Sequence, residues 1–329
     1  MMKWAFAVCL ALLSMSAGAR ADGIYKAVSG PNRVLEATLE WRDDTRDRVV
    51  PVKIYVPETG TGPLPTVIVS HGAGGSREGL AYLGRHWASY GYAVVHLQHA
   101  GSDAEIWRGL SQAAAMQAIR RAVADRQAAI DRPQDVHFAV DRLLAQPLDI
   151  GGWRYAVDPQ RLAVAGHSFG AFTALAAAGV TFDLPGGPVN FGDDRLIATI
   201  ALSPTAFRAQ QEESFSGVRI PALLMTGTED AGVVSDLEPS ERRRAYDLIR
   251  QAPKFLVILE GGDHMVFSGA RRAPKSTDPR HHDLIRAITT AFLDSFVNGD
   301  RAATVWLRET LPALSPGIAL EEQKNPTQD

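Results

Sequence analysis

Short apolar runs separated by polar turns recur along most of this chain. Two of them, residues 34–41 and 49–56, alternate apolar and polar side chains around a polar turn at 43–47, which predicts an antiparallel hairpin. The later runs are continuously apolar and contain many β-branched residues, which is typical of strands buried on both faces of a parallel sheet. These later runs are residues 66–70, 93–97, 162–165, 197–202, 222–226 and 255–259.

Helical patterns fall between the apolar runs. They cover residues 80–90, 136–145, 171–179, 240–252 and 282–297, and the run Asp131-Arg-Pro133 predicts a helix start because proline is tolerated in the first turn. Alternating strands and helices after a hairpin predict an α/β domain. Its doubly wound, mostly parallel sheet has about eight strands and is preceded by the N-terminal antiparallel hairpin.

One connection is longer than this fold requires. Between the strand ending at Leu97 and the strand starting at Leu162, the fold needs a single crossover helix. The chain supplies a second amphipathic helical segment at 102–130 as well. Helical insertions above the C-terminal edge of a sheet often cover a binding site, so this segment is either such a cover or extra packing on the flank of the sheet.

The run Gly166-His-Ser168-Phe-Gly170 follows one of the predicted buried strands and precedes a helical stretch rich in alanine. This G-x-S-x-G pattern between a strand and a helix indicates a nucleophile elbow, in which a very sharp turn exposes the serine hydroxyl. Glycine on either side removes the collisions that larger side chains would cause. Ser168 is therefore the candidate nucleophile.

A serine hydroxyl needs an imidazole to take its proton and a carboxylate to orient that imidazole. Where a serine lies at such an elbow, the acid and then the histidine follow it along the chain. Among the downstream histidines, His264 lies in a flexible loop after the strand 255–259 and is the expected base, whereas His281 and His282 lie at a predicted helix start.

The orienting acid should follow the strand 222–226. Asp230 and Glu229 are both available there, and we expect Asp230 because the shorter carboxylate four residues beyond the strand suits a loop turned toward the histidine. Asp236 and Glu238 are more remote. Asp263, adjacent to His264, is expected to be a turn residue.

Attack on a carbonyl produces an oxyanion, which two backbone N–H groups would stabilise. One is expected from Phe169, at the positive N-terminal end of the helix after the nucleophile. The other is expected from the glycine-rich run His71-Gly-Ala73-Gly74-Gly75, with Ala73 as the first choice and Gly74 as the second. His71 is expected to hold this loop by a hydrogen bond.

The N-terminus has the features of a secretory signal peptide, with Lys3, an apolar run at 4–13 and an Ala19-Arg-Ala21 cleavage site. The run is half the length of about 20 residues that a spanning helix needs, so no transmembrane segment is predicted. The alternative is a buried N-terminal helix. Cleavage after Ala21 would remove Cys9, the only cysteine, and leave neither a thiol nor a disulfide. We expect a secreted or periplasmic protein.

Charge argues against nucleic-acid binding. The formal net charge is −3, and loss of residues 1–21 with their two basic side chains would make it −5. The short basic clusters at 120–121, 242–244 and 271–272 are expected on solvated surfaces. The domain is expected to span residues 22–314, and residues 315–329 are expected to form a loose polar tail.

Five short runs resemble those of bacterial predicted dienelactone hydrolases that are grouped with platelet-activating-factor acetylhydrolase-like serine esterases of the α/β-hydrolase superfamily. The runs are Ser70–Ser76, His96–Asp103, Ala165–Ala171, Met225–Asp230 and Gly262–Met265. The resemblance covers nearly all of the chain after residue 21. It implies the α/β-hydrolase fold and places the nucleophile, acid and base on Ser168, Asp230 and His264. Dienelactone hydrolases proper carry cysteine at the nucleophile, so the resemblance does not imply a lactone substrate.

These observations together predict a serine esterase that cleaves small-molecule, lipid or polymer esters through an acyl-enzyme, without a metal or organic cofactor. The alternatives are an amidase or peptidase that uses the same three residues, and a catalytically silent binding protein on a hydrolase scaffold. The sequence leaves open the acyl and alcohol groups of the substrate and the oligomeric state.

Overall fold

The computed structural model describes residues 24–59, 62–206, 210–271, 273–314 and 318–323. The predicted signal peptide at residues 1–21 lies outside these ranges. The strands are β1 (Val34–Asp43), β2 (Arg48–Pro57), β3 (Leu64–Ser70), β4 (Ala93–Leu97), β5 (Leu148–Ile150), β6 (Trp153–Tyr155), β7 (Val157–His167), β8 (Thr181–Leu184), β9 (Gly187–Asn190), β10 (Leu196–Leu202), β11 (Ala222–Glu229), β12 (Lys254–Asp263) and β13 (Ile318–Gln323).

The α-helices are α1 (Ala81–Ser89), α2 (Gln112–Ala124), α3 (Arg126–Ala145), α4 (Phe169–Ala177), α5 (Glu212–Phe215), α6 (Arg244–Leu248), α7 (His264–Ser268), α8 (Asp278–Phe296) and α9 (Arg301–Val305). Short 3₁₀ turns occur at Ala104–Trp107, Pro239–Arg243 and Leu311–Leu314, and a π-helical turn follows α9 at Trp306–Thr310.

The main sheet has nine described strands in the order β1-β2-β4-β3-β7-β10-β11-β12-β13. The six strands from β4 to β12 are parallel to one another, whereas β1, β2 and β13 run antiparallel to their neighbours at the two edges. The predicted α/β class, mostly parallel sheet and N-terminal hairpin are therefore confirmed. The sheet is one strand larger than predicted.

The additional strand is β13, in the segment predicted to be a loose polar tail, and that prediction is wrong for residues 318–323. Ile318 and Leu320 alternate with more polar residues and pack against the core, which is the pattern of an edge strand with one buried face. Glu321 is paired with Arg243 at 2.8 Å and Glu322 with Arg308 at 2.7 Å. The remaining residues of the predicted tail lie outside the described part of the chain.

Side chains of the buried strands alternate between two cores, one on each face of the sheet. Val67 of β3 belongs to the core that contains Trp87 of α1 and Phe292 of α8, whereas its neighbour Ile68 belongs to the core on the other face, with Val140 of α3. This is the doubly wound arrangement that continuous apolar runs predict, because such strands need helices on both sides.

The insertion at 102–130 consists of the 3₁₀ turn, α2 and the first residues of α3. The predicted helix start at Asp131-Arg-Pro133 is wrong, because α3 begins at Arg126 and Pro133 lies inside it. The Asp125 side chain caps this earlier start by accepting a hydrogen bond from the Gln127 N–H at 2.8 Å. Arg132, Asp135 and Val136 around Pro133 are buried, so tertiary packing offsets the loss of the one hydrogen bond that proline removes.

Candidate active site

Ser168 lies at the tight turn between β7 and α4, in the strand–turn–helix arrangement that the sequence predicts. Its backbone has φ of 56° and ψ of −118°, a conformation that costs a residue other than glycine about 1–3 kcal/mol. A Cβ atom at Gly166 would lie 2.0 Å from the Gly170 carbonyl oxygen, and one at Gly170 would lie 2.0 Å from the Ser70 carbonyl oxygen. The turn therefore requires glycine at both positions.

The structure brings Ser168, His264 and Asp230 together. His264 Nε2 lies 3.0 Å from Ser168 Oγ, and His264 Nδ1 lies 2.9 Å from Asp230 Oδ1. Asp230 directly follows β11, and His264 directly follows the neighbouring parallel strand β12. Because the C-terminal ends of parallel strands share one edge of the sheet, residues far apart in sequence form one Ser–His–Asp chain of hydrogen bonds.

The Asp230 carboxylate is fully buried and strongly held. Its Oδ2 accepts a hydrogen bond from Thr226 Oγ1 at 2.8 Å, its Oδ1 accepts one from Ser203 Oγ at 2.9 Å, and Arg242 Nε lies 3.3 Å from Oδ1. Burial acts to raise the pKa of Asp230, but the hydrogen bond from His264 and the Arg242 charge outweigh it and hold this pKa below its ordinary value. An anionic Asp230 favours the imidazole tautomer with its proton on Nδ1, which leaves Nε2 free to accept one.

Ser203 and Arg242 complete this arrangement, and no sequence pattern singles out either of them. Ser203 has a positive φ of 53°, and its Oγ lies 2.8 Å from His264 Nδ1. Arg242 belongs to a basic cluster expected on a solvated surface, which is wrong for this residue, because it is only 3% exposed and its Nη2 lies 3.2 Å from His264 Nδ1. Only the tertiary fold brings these side chains to the site.

The other acids considered from the sequence lie elsewhere in the hydrogen-bond network. Glu229 is exposed and pairs with Lys275 at 3.1 Å. Asp263 caps α7 and also pairs with Lys275, at 2.9 Å, in keeping with the turn role predicted for it. Asp236 and Glu238 are exposed residues of the loop that follows β11, and Asp236 lines a cleft beside Ser168.

The two other downstream histidines are engaged with backbone oxygens. His281 Nε2 lies 2.9 Å from the Glu260 carbonyl oxygen, and His282 Nε2 lies 3.0 Å from the Val266 carbonyl oxygen. Both belong to the first turns of α8 and join that helix to the segments before it. Of the three downstream histidines, His264 is the one placed at Ser168.

The glycine-rich loop at 71–75 passes directly beside Ser168. A Cβ atom at Gly72 would lie 3.3 Å from Ser168 Cβ, so this part of the loop is in van der Waals contact with the serine. The Gly74 N–H donates to the Ser102 carbonyl oxygen at 2.8 Å. The second-choice oxyanion donor is therefore already engaged.

The first-choice donors remain available. Neither the Ala73 N–H nor the Phe169 N–H donates a hydrogen bond to another described group. Phe169 is the first residue of α4, where backbone N–H groups lack an intrahelical partner and the helix dipole favours negative charge. Together these amides could accommodate a negatively charged oxygen next to Ser168.

Arg132 of α3 joins the loop to the helix that begins at Ser168. Its fully buried guanidinium donates to the His71 carbonyl oxygen, to Ser102 Oγ at 2.8 Å and to Thr173 Oγ1 of α4 at 2.9 Å. The guanidinium carbon also lies 4.4 Å from the centroid of the Phe169 ring. One side chain thus contacts both segments that carry the candidate oxyanion donors.

A second Ser–His–Asp chain lies beneath the loop. Ser70 Oγ is 2.8 Å from His99 Nε2, and His99 Nδ1 is 2.9 Å from Asp135 Oδ2, but all three residues are fully buried and none lines the clefts at Ser168. The backbone N–H of His99 donates to His71 Nε2 at 3.1 Å, and the other ring nitrogen of His71, Nδ1, hydrogen-bonds the Gly72 carbonyl oxygen at 2.6 Å. This confirms that His71 holds the loop by hydrogen bonds. The buried array supports the loop from below.

Two clefts meet at Ser168 and His264. The Val123 cleft, of about 340 Å³, is bounded by Val123, Phe172 and Leu237. The Ile119 cleft, of about 360 Å³, is bounded by Ile119 and residues that include Leu80, Trp107, Met116 and Met265. Each volume lies within the range of small-molecule binding pockets.

Within the described ranges, no group of three or more His, Cys, Asp or Glu side chains is arranged to hold a metal ion, and no helix is both long and apolar enough to cross a membrane. The chain matches no model of a known protein family, and no curated protein is significantly similar to it in sequence.

Because several histidines are buried, we predict that the free energy of unfolding decreases in mild acid. Five buried histidines have lowered pKa values, and burial is the main cause. The pKa is about 4 for His99 and about 3 for His86, His96 and His167, and the pKa of His71 lies well below 6.5. Between pH 6.5 and about 4 the unfolded chain therefore binds protons that the folded chain does not. The free energy of unfolding should fall with decreasing pH by up to about 1.4 kcal/mol per pH unit for each histidine.

Urea unfolding at pH 7.5, 6.5 and 5.5 measures this slope. His96→Asn is a suitable comparison, because Asn can still donate toward the Gly79 carbonyl oxygen that His96 Nδ1 contacts at 2.9 Å, yet it does not titrate. On unfolding, the variant should bind about one proton fewer than the wild type, so its free energy of unfolding should change less steeply with pH. A free energy of unfolding that is equal at pH 7.5 and 5.5 would contradict the prediction.

Proposed function

We propose that this chain is a serine hydrolase of the α/β-hydrolase fold that cleaves carboxylic esters through an acyl-enzyme intermediate. The observation that carries the proposal is the Ser168–His264–Asp230 chain of hydrogen bonds at a turn with positive φ, open to two clefts. The mostly parallel sheet, with this turn at its C-terminal edge and the acid and base after later strands, supports the fold assignment.

In the first half-reaction, Ser168 Oγ attacks the ester carbonyl carbon while its proton passes to His264 Nε2. The carbonyl oxygen becomes an oxyanion facing the Ala73 and Phe169 N–H groups, and the anionic Asp230 stabilises the imidazolium. Collapse of the tetrahedral intermediate breaks the bond to the alcohol oxygen, which takes the proton from Nε2 and leaves. The acyl group remains bonded to Ser168.

In the second half-reaction, His264 Nε2 accepts a proton from a water molecule that attacks the acyl carbon. The second tetrahedral intermediate releases the carboxylic acid, and Ser168 Oγ recovers its proton from Nε2. The mechanism uses no metal or organic cofactor. The substrate is a small-molecule, lipid or polymer ester, and the sequence features of residues 1–21 favour a secreted or periplasmic location.

Replacing the nucleophile tests this function directly. Wild-type protein should hydrolyse p-nitrophenyl esters, and Ser168→Ala should abolish turnover because it removes the attacking oxygen while leaving the buried contacts around the turn. An organophosphonate should label the wild type on Ser168, as read by peptide mass spectrometry. Ser216→Ala, which alters an exposed serine far along the chain, serves as the matched control and should keep full activity.

The same assay distinguishes the alternative functions. Cleavage of a p-nitroanilide at a rate similar to that of the esters would favour an amidase. An intact fold with neither hydrolysis nor phosphonate labelling would favour a silent binding protein, and labelling at another serine would contradict the assignment of Ser168.

The orienting acid provides a second prediction. Asp230→Asn should lower kcat by about 10⁴-fold, because the amide no longer favours the tautomer with its proton on Nδ1. Glu229→Gln, a charge-neutralising change at the adjacent residue, should cost less than about tenfold, because Glu229 is paired with Lys275 on the surface. Ester-hydrolysis rates for the two purified variants check this ranking. The reverse ranking would transfer the role to Glu229.

A further inference from the structure

Helix α2, the main element of the insertion, contributes one side chain to each of the two clefts at Ser168. Its Ala118 and Ala122 are buried, and Ile119 and Val123, which follow them on the helix surface, are half-buried. Ile119 and Val123 are one turn apart, about 6 Å along the helix axis. Ile119 lines one cleft and Val123 lines the other, while Ser168 and His264 line both.

The position of α2 is tied to the glycine-rich loop. Trp107, just before α2, donates a hydrogen bond from Nε1 to the Gly74 carbonyl oxygen at 2.7 Å. A Cβ atom at Gly74 would lie 3.0 Å from Ile119 side-chain atoms, so the helix and the loop are in direct contact. These contacts fix the position of the α2 wall of the Ile119 cleft relative to the loop beside Ser168.

In the tetrahedral intermediate, the acyl chain and the alcohol extend from the reacting carbon in two different directions. One of its four bonds goes to Ser168 Oγ and one to the oxyanion, so the acyl chain and the alcohol leave along the other two. Two clefts that meet at Ser168 provide two such directions. A substrate with a single large arm would leave one of them empty.

The chemistry of the lining is apolar. Among the described residues that line the Ile119 cleft there is no Asp, Glu, Lys or Arg, and Trp107, Met116 and Ile119 form much of its wall. Of the described residues that line the Val123 cleft, two are charged: Arg242, which is paired with Asp230, and Asp236, which is exposed on the outer loop. A charged arm would lose hydration against these apolar walls, and the described lining offers it no buried charge that is not already paired.

We propose that α2 divides the substrate site, and that the substrate is an uncharged ester with two apolar arms, the acyl chain in one cleft and the alcohol in the other. This inference rests on the proposed esterase function. The two clefts have similar volumes, about 340 and 360 Å³, near the lower end of the range for small-molecule pockets, so each is expected to hold a short arm. Lengthening either arm should raise kcat/KM by roughly two- to fourfold per methylene until its cleft is full.

The test is a matrix of straight-chain esters in which acyl and alcohol lengths vary independently from two to about eight carbons, with hydrolysis followed by pH-stat titration. Ile119→Phe and Val123→Phe each narrow one cleft. Gln117→Phe adds the same ring at an exposed position of α2 that lines neither cleft. Thermal unfolding checks that all three variants are folded, and Ile119→Ala and Val123→Ala provide the complementary widening.

We expect the two Phe variants to impair opposite arms. In one variant, kcat/KM should no longer rise with acyl length but should depend on alcohol length as in the wild type. The other variant should show the reverse, and Gln117→Phe should match the wild type for both arms. Impairment of the same arm by both variants, an unchanged matrix, or equally fast cleavage of esters with a charged arm would overturn the inference. If any of these results is obtained while Ser168 is still labelled, the proposed esterase function is retained and only the two-cleft inference fails. If no ester is hydrolysed at all, the proposed function itself is contradicted.

Discussion

The close approach of three backbone segments at Ser168 is the constraint on which the site depends. Residue 170 packs against the Ser70 carbonyl at the end of β3, and residue 166 packs against the carbonyl of residue 170, so any Cβ atom there would overlap backbone. This packing, with the hydrogen bond from the Ser168 N–H to the Leu202 carbonyl oxygen at 2.9 Å, holds the serine in its positive-φ conformation. The same contact places the N-terminus of α4 and the glycine-rich loop on two sides of one hydroxyl.

Two buried arginines hold different parts of the surroundings of this turn. Arg242 lies beside the Asp230–His264 pair, where its charge helps to keep the carboxylate ionised. Arg132 lies under the loop and α4, and it makes its hydrogen bonds there to hydroxyl and carbonyl oxygens. Burial lowers the pKa of Arg132 to about 9, with the Asp135 charge opposing the shift, so the side chain remains charged near neutral pH. Such groups are costly to bury, and their use here is consistent with a site whose geometry must be held rigidly.

Local sequence patterns were sufficient for the central parts of the molecule. The G-x-S-x-G run between a strand and a helix located Ser168, and continuous apolar runs identified the parallel strands, because both signals depend on neighbouring residues alone. The order of acid and base along the chain then limited the choice to a few residues near Asp230 and His264. The sequence could not determine that the Gly74 amide is engaged by Ser102, since that contact joins two loops.

Features that depend on long-range contacts were missed or wrong. Arg242 reads as part of a solvated basic run, yet the fold buries it against Asp230. Residues 318–323 read as tail, yet pairing with β12 orders them as a strand. The run Asp131-Arg-Pro133 reads as a helix start, yet with the Asp125 cap the helix begins at Arg126, five residues before Asp131. In the first two cases a tertiary contact outweighed a local preference, and in the third a stronger local signal, the Asp125 cap, did so.

Trapping the covalent intermediate tests the account most directly. Wild-type protein mixed with a p-nitrophenyl ester and quenched in acid within the first turnovers should carry the acyl group on the peptide that contains Ser168, as read by mass spectrometry. The acyl group should be absent when His264 is replaced by Ala, because the hydroxyl then has no base to take its proton. Turnover without an acylated peptide, or with the acyl group on another residue, would contradict the central claim that Ser168 is a nucleophile activated by His264.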